Sequence, residues 1–107
     1  MTSGIIVNLI ISKKDSTYKD YNLNEIVNLS KTLSINCKIK ENIKINKFSA
    51  STLINSGKLL DLKNRIYLNE IDLLVINYPL TPSQQKNLEK YLNIKVIDRT
   101  GLIIEIF

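Results

Sequence analysis

The apolar positions along the chain fall into two rhythms, and their alternation predicts the fold. Gly4 to Ile11 (GIIVNLII) is a nearly continuous apolar run rich in β-branched residues, the pattern of a strand buried on both faces. Asp72 to Asn77 (DLLVIN) has the same character. Cys37 to Asn46 (CKIKENIKIN) instead alternates. Cys37, Ile39, Ile43 and Ile45 are expected on one side, with Glu41 breaking the series, and Lys38, Lys40, Asn42, Lys44 and Asn46 on the other. One wet face suits an edge strand, where lysines also discourage sheet-to-sheet association. Lys95 to Asp98 reads as a last short strand.

Between these runs the period changes to that of a helix. Ser12 to Tyr21 is polar and aperiodic, a loop. Asn22 is placed to cap a helix with Glu25 reaching back to it, and Leu23, Ile26, Val27 and Leu33 share a face with Leu29 at its flank. After a turn-rich link from Phe48 to Ser56, a second helix is predicted from Lys58 to Leu68, with Leu59, Leu62 and Ile66 inward. Thr81-Pro82-Ser83-Gln84 begins a third: Thr81 caps, Pro82 takes the first helical position, and Gln84 completes a capping box. It runs to Leu92, with Leu88, Tyr91 and Leu92 inward. Thr100 is read as the cap of a final helix starting at Gly101, in a tail that is almost wholly apolar to Phe107.

The order β-α-β-α-β-α-β predicts an α/β fold: a small four-stranded parallel sheet with right-handed crossovers and helices on both faces. The doubly apolar runs belong in the middle and the alternating run at an edge. The predicted strand order is therefore 2-1-3-4, a flavodoxin-like arrangement.

Composition narrows the chemistry. The chain has 107 residues, 44% of them apolar and 23% charged, which suits one globular domain. It has no histidine, so it offers no imidazole base and no histidine metal ligand. Its single cysteine, Cys37, excludes an intrachain disulfide and reads as an inert thiol on the apolar side of a strand. No apolar run reaches membrane-spanning length and the start of the chain lacks a signal-peptide pattern, so a cytoplasmic setting is expected. The net charge is +5, carried by 13 Lys and 2 Arg. It is compatible with a face for nucleic acid, and equally with the codon bias that an abundance of Lys, Asn and Ile suggests.

Motifs for catalysis fail individually. Asn55-Ser56-Gly57-Lys58 invites comparison with a phosphate-binding loop, but such a loop needs glycine where Thr52 stands and Ser or Thr where Leu59 stands. Weak nucleotide binding at the Ser56-Gly57-Lys58 turn remains an alternative, because the following helix opens there. A receiver-type acidic site is excluded by Ser12, Lys13 and Lys14 after the first strand and by Asn77 at the end of the third. No metal site is expected.

Two segments, taken together, resemble the N-terminal domain of the HflX family of ribosome-associated GTPases. The stronger is Leu80 to Phe107. Gln84, Asn87, Leu88 and Glu89 match the family's helix, and Asp98, Arg99, Thr100, Gly101, Leu102, Ile103, Ile106 and Phe107 match its Asp-Arg-Thr-Gly-Leu-Ile run. The weaker contains Gly57 and Lys58. There Asn55 replaces a family glycine, a substitution tolerant of left-handed backbone, and Leu53 replaces an aromatic residue. The resemblance implies a domain over residues 1–100, with 101–107 the stump of the following helix, in a chain truncated before the family's helical hairpin and G domain. It implies binding to the large ribosomal subunit and its RNA, translation under stress, and no membrane or DNA partner. GTP and magnesium are implied for the G domain and no cofactor for this chain, which is not expected to be an enzyme by itself. The candidate RNA contacts are Lys58, Lys63, Arg65, Lys86, Lys90 and Arg99, acting on phosphates. The alternative is a vestigial or protein-interaction domain without RNA affinity, suggested by the apolar end from Ile103 to Phe107.

Overall fold

In a computed structural model, which describes residues 2–11, 23–45 and 49–106, strands β1 (Thr2–Ile11), β2 (Ile35–Ile45), β3 (Leu73–Ile76) and β4 (Lys95–Asp98) alternate with four helices. These are α1 (Leu23–Thr32), α2 (Ser56–Leu68), α3 (Pro82–Leu92) and α4 (Arg99–Ile106). Every strand pairing is parallel, and the order is β2-β1-β3-β4, as the apolar pattern predicts. The expected loop at 12–21, the cap at Asn22 and the start of the link at Phe48 lie outside the described residues.

The sheet separates two cores. On one face Leu59, Leu62 and Ile66 of α2 and Leu88 and Leu92 of α3 close over Ile5, Val7, Leu74 and Ile76. On the other, Ile26 and Val27 of α1 and Leu102 of α4 close over Ile6, Leu73 and Val75. At α3 the predicted capping box is present: Thr81 Oγ1 accepts from Gln84 N at 3.1 Å, and Gln84 Oε1 accepts from Thr81 N at 3.0 Å.

The alternation along β2 is broken by a bulge. Gly4 pairs with Cys37 but Ile5 pairs with Ile39, leaving Lys38 as the extra residue. One extra residue exchanges the faces of everything beyond it. Ile35 and Cys37 therefore pack toward α1 and α4, while Ile39, Ile43 and Ile45 join the core under α2 and α3. This corrects the expectation that Cys37 shares a face with those isoleucines. Gly4 makes the close approach possible, since a Cβ there would lie 2.8 Å from Ile35 Cγ2.

Two further expectations are corrected. Tyr91 is 38% exposed rather than inward, because Leu88 and Leu92 already fill the contact that α3 makes with the sheet. The last helix begins at Arg99 rather than Gly101, and its first-turn amide at Gly101 donates to Asp98 Oδ1 at 2.8 Å, so Asp98 and not Thr100 supplies the cap.

Candidate functional site

Open parallel sheets bind ligands beyond the carboxyl ends of their strands, at the point where the strand order reverses. Here that point lies between β1 and β3. It is occupied by the protein's own side chains. Asn8 is paired with Asn42 across β1 and β2. One step beyond the last pairs of β1 with β3 and of β3 with β4 stand Asn77 and Arg99. These four residues form one row across the sheet, joined head to tail. Arg99 Nη1 donates to Asn77 Oδ1 at 2.9 Å, Asn77 Nδ2 to Asn8 Oδ1 at 2.7 Å, and Asn8 Nδ2 to Asn42 Oδ1 at 3.0 Å. Arg99 Nη2 also pairs with Glu25 Oε1 of α1 at 2.7 Å. Asn8 and Asn77 are buried, and an amide suits each position because it accepts from one neighbour while donating to the next.

The family-motif residues around this row hold elements together. Buried Asp98 accepts from Leu80 N with Oδ2 and from Gly101 N with Oδ1, both at 2.8 Å, tying the turn before α3 to the start of α4. A Cβ at Gly101 would stand 3.0 Å from Ile97 Cγ1, so glycine lets α4 settle onto the strand it leaves. Thr100 is exposed on α4. On α3, Asn87 Nδ2 donates to Ser51 O at 2.9 Å. Gln85 and Glu89 take the outer edge of β4, Gln85 Nε2 donating to Val96 O at 2.8 Å and Glu89 Oε2 accepting from Val96 N at 3.0 Å. That edge is thereby closed to another strand.

A second charged cluster lies where β2 meets α2. The bulge turns Glu41 toward α2. There its carboxylate pairs with Lys58 Nζ at 2.9 Å and, through its other oxygen, with Arg65 Nη2; Asp61 lies 3.6 Å from Lys58 and 3.3 Å from Arg65. The hydrogen bond to Glu41 holds the Lys58 ammonium above its ordinary pKa, aided by the charges of Glu41 and Asp61 and opposed by partial burial and Arg65. Burial alone would lower Arg65, but Glu41 and Asp61 outweigh it and the guanidinium pKa rises. Asn55, at φ −67°, is extended and caps α2, accepting from Lys58 N at 2.9 Å. The left-handed residue in this turn is Leu53, at φ 69°, which corrects the reading of Asn55 as the left-handed position. Gly57 has room for a Cβ, with nothing nearer than Asn55 Oδ1 at 3.6 Å.

The six candidate RNA contacts thus divide. Lys58, Arg65 and Arg99 are paired with carboxylates of the chain itself. Lys63 lies with its ammonium 4.8 Å from the centre of the Tyr91 ring, and Lys86 and Lys90 are exposed one turn apart on α3. Cys37 is half-buried with its thiol against Ile39 O; burial pushes its pKa up, partly offset by Lys40 and Lys31. Sequence reasoning missed the asparagine row. Its signal was present in Asn8 and Asn77, lone polar residues within or ending otherwise apolar strands.

Residues 20–107 match the family described as GTP-binding GTPase N-terminal. GTPase HflX of Magnetococcus marinus is 47% identical over 85 residues, covering 79% of this chain and 20% of its own length. GTPase HflX of Caldanaerobacter subterraneus is 37% identical over 107 residues, covering 97% of this chain and 23% of its own. The chain therefore spans about a fifth to a quarter of the length of such relatives. The crystal structure of a GTP-binding protein from Sulfolobus solfataricus in complex with GDP shares the fold, with a TM-score of 0.69 at 21% identity, over 99% of this chain and 30% of that one.

Proposed function

The chain belongs to the HflX family of GTPases, whose N-terminal domain it forms, and on that premise we propose that it is a binding module for the RNA of the large ribosomal subunit. The observation that supports the reading best is the division of its cations. Lys63, Lys86 and Lys90 direct their charge outward from α2 and α3, whereas Lys58, Arg65 and Arg99 are engaged within the fold. Outward ammonium groups neutralise phosphates without reading bases. GTP and magnesium would be held by the G domain of a full-length relative, since the sequence here lacks the phosphate-binding loop that such chemistry uses. Service on ribosomes in translation, under stress and in the cytoplasm, follows from the same reading. Among the described residues no helix is long and apolar enough to cross a membrane.

Binding of the chain to purified large subunits across a salt series tests this. Three phosphate contacts predict that log K falls against log salt with a slope of about −2 to −3. Absence of binding at low salt, or binding indifferent to salt, overturns the proposal. The second reading, a protein-interaction domain without RNA affinity, draws on Ile104 of α4, which is 69% exposed. Light scattering that finds a monomer free of self-association counts against a sticky apolar end.

A further inference from the structure

The carboxyl ends of the strands are bridged by the asparagine row, yet the opposite end of the molecule carries an open groove. It lies between the C-terminal turns of α2 and α3, has a volume of about 410 Å³, and has an apolar floor of Ile66, Ile71, Leu92 and Ile94. Lys63 and Tyr67, one helical turn apart on α2, form one wall. Tyr67 is 82% exposed, the most exposed of the large apolar side chains described, and the neighbouring Leu68 is 75% exposed. The Lys63 ammonium lies over the Tyr91 ring, and among the described residues it has no carboxylate at 4 Å or less. Such a contact orients an ammonium without neutralising it.

From this juxtaposition of an exposed tyrosine, an oriented lysine and an apolar floor, we infer that the α2–α3 groove is the surface that receives RNA, taking an unpaired base against Tyr67 while Lys63 and the α3 lysines meet the adjoining phosphates. This rests on the ribosomal reading above and gives it a location. Single-stranded nucleic acid is bound in this way, by aromatic rings that stack on any base beside cations that follow the backbone. A purely apolar protein partner would leave Lys63, the cation that lines the groove, without a counter-charge; a phosphate backbone supplies one there and continues toward Lys90 on the last turn of α3. Glu70 stands at the rim of the groove and sets a boundary, since its carboxylate repels a backbone passing on that side.

The stacking and ionic contributions are separable by their salt dependence. With the full chain and purified large subunits, Tyr67→Ala is expected to weaken binding about tenfold with an unchanged salt slope, because stacking releases no counterions. Tyr67→Phe is expected to bind as the original. The double substitution Lys63→Gln, Lys90→Gln is expected to make the slope shallower by about 1 to 2 units. A second arm uses a ten-nucleotide oligouridylate and follows the Tyr67 ring resonances by NMR, which are expected to shift on titration. If subunit binding is salt-dependent but neither substitution alters it and the oligonucleotide leaves Tyr67 unmoved, the groove assignment falls while the ribosomal reading stands. If the oligonucleotide shifts Tyr67 but subunits do not bind, the groove is upheld as an RNA site and the ribosomal reading falls. If Tyr67→Ala abolishes a subunit association that is indifferent to salt, the groove holds a protein and the inference is overturned.

Discussion

On the face covered by α1 and α4, the Arg99 guanidinium is turned into the fold; on the face covered by α2 and α3, three ammonium groups, those of Lys63, Lys86 and Lys90, are turned out of it. Arg99 spans from Glu25 to Asn77, with its side chain only 18% exposed, and closes a row of amides that crosses three strands. Lys63, Lys86 and Lys90 stand on the opposite side of the sheet, and the only ring or ion contact among them in the described residues is that of Lys63 with Tyr91. The difference teaches that positive charge in this chain does two jobs. Guanidinium geometry, with several donors in a fixed plane, suits an internal junction that must satisfy several acceptors at once. Ammonium groups on long stems suit a surface that meets phosphates in varied geometry.

The largest test of this contrast is Asn77→Ala. It takes from buried Asn8 Oδ1 the donor at 2.7 Å and from Arg99 one of its acceptors, Glu25 remaining, and is expected to cost about 1–3 kcal/mol in urea unfolding. A cost near zero would mean that the row is incidental and that the two faces do not differ as described. Glu41→Gln comes next. Glu41 joins β2 to two cations of α2, and its neutralisation is expected to cost about 1 kcal/mol near neutral pH. The pH dependence has a definite sign. Lys58 has a folded pKa above its ordinary value of 10.5, so its contribution is complete below that pH and is lost as pH rises through the higher folded value. The stability difference between the original chain and the variant is therefore expected to be flat up to about pH 10 and to shrink above 10.5. A difference that grows in alkali would place the ion pair elsewhere. The smallest effect is expected at Gly57→Ala. The position has helical backbone and room for the methyl group, so a gain of about 0.5 kcal/mol is predicted in thermal unfolding. If the same substitution weakens subunit binding, the glycine serves the partner rather than the fold.

Legibility in the sequence followed the range of the interaction. The Thr81 capping box could be read because its partners are three residues apart, and Leu59, Leu62 and Ile66 because one helix sets their spacing. The family motif from Asp98 to Gly101 was visible as a motif, but its work was not. Asp98 reaches Leu80, which is 18 residues away, and Arg99 reaches Asn77 across 22. The groove was hidden for a similar reason, since its lining comes from two helices and from the segments that follow each of them.

By itself the sequence determined the elements, their order and which strands are central, because apolar period, caps and doubly buried runs are local properties that survive in any arrangement of the chain. Only the tertiary structure decided which way individual side chains turn. A single extra residue at Lys38 moved Cys37 to one core and Glu41 to the other side. The pairing of Asn8 with partners 34 and 69 residues distant made an internal junction of what looked like scattered polar positions. Those outcomes depend on register between strands far apart in the chain, and register is fixed only when both faces of the sheet are packed.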